Sequence, residues 1–266
     1  MIALLLLVAL ETPPASVPKP VARAWSILDD GIDNKDAAKR AKAVHALGLL
    51  QSSRRAQGFA EKALADENQE VRVEAATALG RLGVSSARPK LRQALEDKEV
   101  KVVIAAANAL YELKDPAAFD IYYALLLGER KSSSSLVQSQ LDRLRNRKDV
   151  EKLAFETGVG FVPFGGIGYE AWKTITHDDA SPIRALAASR LAHDPDPKSA
   201  DALIQSRFDK KWQVRAAVVN AIAERRDRSL LDPVISLMDD ENDNVRYDAA
   251  ATVVQLSSRA APARKK

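Results

Sequence analysis

Cysteine is absent from the 266 residues of this chain, which removes disulfides, thiolate metal sites, a cysteine nucleophile and a lipid-modified cysteine from consideration. The absence fits a reducing or an oxidising compartment equally. Aromatic residues make up only 5% of the sequence, beside 11 Gly and 12 Pro, so the composition is that of an Ala- and Leu-rich helical array. No alternating apolar-polar run is long enough to build a sheet. The one continuous apolar stretch, Ile2 to Leu10, falls far short of the roughly 20 residues that a membrane-spanning helix needs. Charge of neither sign dominates: 40 Lys and Arg stand against 36 Asp and Glu, a net charge of +4. The small basic excess is spread along the chain and is a weak indication of a polyanion partner.

What is present is an internal repeat. Val71-Arg72, Val214-Arg215 and Val245-Arg246 recur, with Ile183-Arg184 in the same role, and positions 183, 214 and 245 are evenly spaced by 31. The same step from Val71 reaches Val102, which opens another copy. Each copy carries an Asp five residues before the Val or Ile, a small or β-branched pair four and five residues after it, and an aliphatic residue at the eighth. A period in the thirties built from helix-forming residues predicts a stacked solenoid of helical hairpins.

Within one copy the sequence predicts a first helix ending near Leu64, a turn over residues 65–68 and a second helix over 70–82. Asn68 is the expected N-cap, with Glu70 in the first turn where the helix dipole favours an acid. Val71, Ala75, Leu79 and Leu82 share one face and form the expected core. The pair Ala75 and Ala76, with Ala106 and Ala107, Ala187 and Ala188, Val218 and Val219, and Ala249 and Ala250 in the other copies, is expected to let neighbouring helices approach closely.

The recurring D-x-x-x-x-V-R-x-x-A-A pattern resembles the HEAT family, in particular the short phycobilisome-lyase-type repeats, from about Asp33 to about Ser258. Arg72, Arg184, Arg215 and Arg246 centre four good copies, and Arg40 marks a first one in KRAKAVHALGLL. The copy at Val102 has Val103 in place of the Arg, and SSSSLVQSQLDRL is a degenerate copy that keeps Val137 and Leu141. Seven units result, and the resemblance implies an all-α, right-handed superhelical solenoid. It also implies a structural ladder in which Asp66, Asp97, Asp178, Asp209 and Asp240 and the Arg72, Arg184, Arg215 and Arg246 side chains bond between neighbouring repeats. A pair repeated along a rod is structural, because an active site occurs once.

The chemistry that the resemblance makes available is mostly missing from the residues. A di-iron hydroxylase of this repeat class holds its metal with His-Glu pairs, and His45, His177 and His193 are the only histidines, none followed by Glu. His193 and Glu224 are expected to face each other across adjacent repeats, yet two ligands do not make a metal site. His177 reads as a turn residue. Bilin lyases share the repeat class, and nothing in the residues selects their activity. No phosphate-binding loop, nucleophile elbow or zinc-protease motif is present. No catalytic residue, metal or cofactor is therefore expected, and a lyase-like or hydroxylase-like enzyme is the alternative reading.

Nucleic-acid binding would need Lys and Arg along the concave row. The row equivalent to Thr77 reads His45, Thr77, Asn108, Ser189, Asn220 and Ala251, and the next reads Leu49, Arg81, Glu112, His193, Glu224 and Gln255. Both are mixed in charge, so no nucleic acid is expected, and Arg81 should contribute little to stability. The cluster of Arg143, Arg145, Arg147 and Lys148 reads as a solvated helix end.

The chain departs from its own repeat between Phe155 and Trp172, where spacing shows about 19 extra residues. Five of the 11 Gly and five of the 14 aromatics lie here, among them Phe161, Phe164, Tyr169 and Trp172. The segment is expected either to plug the stack or to dock a partner or a membrane surface. Trp212 should pack beneath a turn, and Trp25 and Leu28 should form a capping helix over the first repeat.

The apolar Ile2 to Leu10 run followed by a Pro-rich spacer has the length of a secretory h-region, without the basic residues that normally precede it. Export to a bacterial envelope follows as the expectation. The organisation expected is an apolar N-terminal segment over 1–16, repeats over 17–154, the insertion over 155–175, repeats over 176–258 and a basic tail over 259–266. The function expected is a protein-binding scaffold whose partner surface includes Asn108, Ser189, Asn220 and the insertion aromatics.

Overall fold

A computed structural model of the chain describes residues 18–119, 121 and 181–258, and every regular element among them is helical. The helices are α1 (Lys19–Ile32), α2 (Ala37–Leu47), α3 (Arg54–Ala63), α4 (Gln69–Leu82), α5 (Arg88–Ala94), α6 (Val100–Glu112), α7 (Ser181–Leu191), α8 (Pro197–Ser206), α9 (Trp212–Arg225), α10 (Leu231–Ile235) and α11 (Asp243–Ser257). They pair as hairpins α1/α2, α3/α4, α5/α6, α8/α9 and α10/α11, and α7 is the second helix of its own copy. None is long and apolar enough to cross a membrane.

The turns inside the hairpins are written in the sequence. Asp66 Oδ1 accepts from Asn68 N at 2.8 Å, and Asp97, Asp209 and Asp240 make the same bond two residues on, at 2.8 to 2.9 Å. This side-chain mimic of a backbone turn fixes the chain direction into the second helix. Asn68 and Asn242 then cap α4 and α11, accepting from Glu70 N at 2.9 Å and Asn244 N at 3.0 Å. The predicted cap and the predicted helix over 70–82 both stand.

Every ladder Arg is the fourth residue of its helix, so its side chain leaves the first turn towards the next hairpin. Arg72 Nε and Nη2 bind Asp97 at 2.7 and 2.9 Å, and Arg215 binds Asp240 at 2.7 and 2.8 Å. Arg40 to Asp66 and Arg184 to Asp209 follow the same pattern. The third nitrogen, Nη1, donates to the Asp66 and Asp209 carbonyls at 2.9 Å from Arg72 and Arg215. Arg40 thus joins the ladder, Asp178 lies outside the described residues, and Arg246 finds no Asp on a following hairpin. It bonds Asp240 O and Asp243 within its own unit. Where Val103 replaces the Arg, Arg88 and Arg92 of α5 converge instead on the buried Asp115.

Between the hairpins the core is made of small and aliphatic residues. Val71, Ala75, Ala76 and Leu79 are buried, as are Ala106 and Ala107, Val218 and Val219, and Ala249 and Ala250. Ala188 is buried while its neighbour Ala187 is exposed. Gly80 takes the close approach furthest: a Cβ there would sit 2.9 Å from Ala109 Cα on α6.

The order of packing is not the order of the chain. Second helices stack as α7 on α9, α9 on α11, α11 on α2, α2 on α4 and α4 on α6. The last helix therefore lies against the first hairpin, with the two ends of the described chain in the middle of the stack. Trp25 and Leu28 were expected on a capping helix; α1 is instead the first helix of a hairpin, and α11 covers the face that a cap would leave to solvent. Leu28 is fully buried, and a Cβ on Gly31 would meet the Tyr247 ring at 2.6 Å and Ala43 at 2.7 Å. Trp25 faces outward enough to carry the Arg55 guanidinium 4.1 Å above its ring. Trp212 is half-buried against the core, as expected.

Two ladder arginines that look alike in the sequence differ in their surroundings. The Arg215 side chain is 10% exposed and the Arg184 side chain 46%. Breaking a buried pair leaves an uncompensated charge, so Arg215→Ala should lower stability by about 3 kcal/mol. Arg184→Ala, whose pair is screened by solvent, should cost under about 1 kcal/mol. Urea melts of the two variants measure the difference, and equal midpoints would mean that burial does not set the strength of a rung.

Candidate functional site

The second helices turn a polar row towards one another, and at the centre of the stack this row closes into a relay. His45 Nδ1 lies 2.7 Å from Glu74 Oε2, and Arg81 Nη1 lies 3.2 Å from His45 Nε2. Arginine only donates, so His45 Nε2 accepts and Nδ1–H donates to the Glu74 carboxylate. Arg81 Nη2 continues to Asn220 Oδ1 at 3.4 Å, and Asn220 Nδ2 donates to Asp248 Oδ2 at 2.8 Å and to Ala216 O at 3.0 Å. Thr252 Oγ1, fully buried one turn beyond, donates to Asp248 O at 2.8 Å.

Geometry makes this relay informative about shape. In the stack α4 and α9 are separated by α2 and α11, and three joints at about 9 Å each would hold them about 27 Å apart if the row were flat. Arg81 and Asn220 nevertheless touch. The inner row is therefore sharply curved, and small residues such as Ala217, Ala249 and Ala250 on α9 and α11 permit the curvature.

Burial and charge set the protonation of the relay. Burial pushes the Asp248 carboxyl up, against the opposing pull of His45, Arg81 and the Asn220 amide. Burial drags the His45 imidazole down, but the Glu74 carboxylate beside it outweighs that effect and raises it above its ordinary value. The outer ladder behaves in the opposite sense. Asp66 is partly desolvated, yet the Arg40 guanidinium and the Asn68 N–H hold its carboxyl low.

Of the groove residues named from sequence, His45, Arg81 and Asn220 are brought together by the fold. Asn108 and Ser189 take their places on α6 and α7, half-buried. Arg81 was expected to be nearly neutral for stability; the structure makes it the link between hairpins on either side of the chain ends. Glu74 and Asp248 escaped the sequence reading because they lie one turn before the row considered. Their equivalents in other copies are Lys42, Ala105, Leu186 and Ala217, so a carboxylate where no other copy has one was the available signal. His193 and Glu224 do face each other, Nε2 to Oε2 at 3.5 Å, with His193 largely exposed. Among the described residues no group of three or more His, Asp or Glu is placed to hold a metal. Phe161, Phe164, Tyr169, Trp172 and His177 lie outside the described residues, as do the basic cluster at 143–148 and the 259–266 tail.

A carboxyl raised in the folded state favours folding most when protonated, and that contribution is lost as pH rises from its unfolded value, near 3.8, through the folded one. Asp248→Asn keeps an acceptor for Asn220 without the charge. Its melting temperature should exceed that of the parent at pH 8, and the gap should narrow as pH is lowered towards 4. A variant less stable than the parent at pH 8 would show that the Arg81 and His45 attractions dominate.

Comparison with known proteins places this architecture. A sequence model described as HEAT repeats matches residues 56–134 and 170–255, more than half of the chain. No curated protein sequence matches it. Among solved structures, the complex of CpcE and CpcF of phycocyanin lyase from Nostoc sp. PCC7120 is 19% identical, covering 92% of this chain and 98% of that one, with a TM-score of 0.35. Human deoxyhypusine hydroxylase in complex with glycerol is 16% identical over 89% of this chain and 96% of that one, with a TM-score of 0.34. A designed armadillo repeat protein is 14% identical over 87% and 98%, at 0.29. None of these likenesses carries its neighbour's chemistry across. With the Asp-Arg ladder, the hairpin stack and the sequence model in agreement, the chain belongs to the HEAT repeat family.

Proposed function

We propose that the chain is a non-catalytic scaffold that binds a protein partner along the inner row of its second helices and at the Gly- and aromatic-rich segment 155–172. The observation that carries this reading is the fate of the polar residues. The ladder Asp and Arg are bonded to one another between hairpins, and His45, Arg81 and Asn220 are bonded along the groove. A partner therefore meets an extended surface of mixed polarity, which suits the burial of an interface of ordinary size. The turn before α9 adds an exposed contact: Phe208 is 67% exposed, with the Arg207 guanidinium stacked 4.0 Å from its ring centre. Aromatic and Arg side chains are the residues that most often dominate binding energy.

An enzymatic reading has one observation in its favour, the Glu74-His45 pair, in which a carboxylate orients an imidazole as in general-base catalysis. The nitrogen such a base would use already accepts from Arg81. The activities of the two natural proteins compared above, phycocyanin lyase and deoxyhypusine hydroxylase, are the assays to run against the scaffold reading.

Crosslinking in the native host followed by mass spectrometry should recover a protein partner attached near the inner row or the 155–172 segment. Phe161→Ser with Phe164→Ser should abolish that capture and leave the melting temperature within about 1 °C, since interface residues exposed in the free protein add little to its stability. Stoichiometric iron in the purified chain, or turnover that requires His45, overturns the scaffold in favour of the enzyme.

We also infer that the Ile2 to Leu10 run directs export to the envelope, where it acts as an h-region ahead of a Pro-rich spacer. The chain isolated from its host should then begin near Val17. Recovery of intact Met1 in the cytosolic fraction disproves it.

A further inference from the structure

The joint between α11 and the first hairpin keeps several features of the joints between consecutive hairpins, although α11 lies more against α1 than against α2. On the outer side, Arg55 reaches back to Asp29 at 2.6 Å and Lys90 to Glu61 at 2.6 Å, each from the start of one first helix to the end of the preceding one. Across the chain ends Arg23 of α1 meets Asp239, in the short helical turn that follows α10. On the inner side, α11 lies against α2 as well as α1, and Lys42 approaches Asp243 at 3.5 Å. The Gly31 backbone lies close enough to Tyr247 to leave no room for a Cβ.

The exception is the rung. Arg246 holds the ladder posture, with Nη1 donating to Asp240 O at 2.9 Å as Arg72 and Arg215 do to their own turns. In the repeat register, Asn34 occupies the place of the ladder Asp in the α1/α2 turn. Its Oδ1 accepts from Asp36 N at 3.0 Å and its carbonyl from Arg40 Nη1 at 3.0 Å, the same two bonds that Asp66 makes with Asn68 and Arg72. Both halves of the rung are built, and only the carboxylate is missing. Arg246 turns to Asp243 on its own helix, and among the described residues it makes no hydrogen bond across the joint.

We propose that the joint between α11 and the α1/α2 hairpin is a clasp that lacks the buried Arg-Asp rung of its neighbours, so that it opens as a unit before they do. No peptide bond crosses it, so opening requires no rearrangement of a turn. The rungs that flank it, Arg215 to Asp240 and Arg40 to Asp66, are complete and largely buried, and keep the hairpins on each side intact. Opening uncovers two complementary faces: Leu28, Gly31 and Ala43 on one side, and the ring of Tyr247, only 4% exposed when closed, on the other. Opening also breaks the Arg81 to Asn220 bond, which spans the joint along the inner row, and the clasp stands whether or not that row binds a protein, because no partner enters the argument.

Asn34→Asp restores the carboxylate without altering the turn, since Asp and Asn make the same bond to the N–H two residues on. Native-state hydrogen exchange of the full chain, read by mass spectrometry, is the measurement. In the parent, α1 and α11 amides should exchange through a common opening faster than those of α4. Asn34→Asp should slow both about ten-fold, the effect of one charge-assisted pair, and leave α4 unchanged. In an Arg246→Gln background the same substitution should have no effect. Arg246→Gln alone serves as the folded control, because Arg246 forms no bond across the joint. Protection of α1 and α11 equal to that of α4 in the parent overturns the clasp, as does an Asn34→Asp effect that survives the loss of Arg246.

Discussion

The bidentate bond from an Arg in the first turn of one second helix to the Asp in the next hairpin's turn is what the rest of the stack hangs on. One guanidinium reads two turns at once, with Nη1 on the carbonyls of its own and Nε and Nη2 on the neighbour's carboxylate. The receiving Asp meanwhile holds its own turn through the N–H two residues on. Arg is suited to this because its donors lie in one rigid plane, which a Lys ammonium cannot imitate. The hairpin spacing is thereby set by side-chain reach and not by loop length. This is why the repeat keeps its register although the sequence offset drifts from 31 to 32 residues between copies.

Small residues on the inner row and Arg-Asp pairs at the edge act on different degrees of freedom. The pairs fix how far each hairpin sits from the next, whereas Ala and Gly at the helix contacts allow the second helices to crowd together and the row to bend. Bending brings polar groups from four helices within bonding distance, and desolvation then sorts their charges. The same physics that holds Asp66 ionised, a guanidinium in plane contact, is diluted at Asp248, where the nearest partner is a neutral amide.

The fold was legible because its determinants are local and repeated: a turn Asp, a cap, an Arg four residues into a helix and a small pair on one face recur in register. The groove row could be written down from the alignment, and three of its members do converge. Convergence itself was not legible. That Arg81 touches Asn220 depends on curvature summed over three joints, and that α11 covers α1 depends on how the whole stack turns. Neither quantity has a counterpart in any one copy. Asn34 illustrates the boundary, since its turn chemistry is plain in the sequence while its meaning requires knowing that α11 packs on the first hairpin.

Placing the two ends of a chain side by side in mid-stack has a temporal consequence. Contacts between α1 and α11 join residues more than 200 positions apart, among the longest separations this sequence allows. Closing so long a loop is slow compared with pairing neighbouring hairpins. As the protein is made, the α3/α4 and α5/α6 hairpins can each dock on the one before it within moments of emerging. The α1/α2 hairpin, by contrast, must wait with one apolar face uncovered until α11 has left the ribosome. The α1/α2 hairpin is therefore left unfinished while later ones are completed, and it is there that a chaperone would have something to hold.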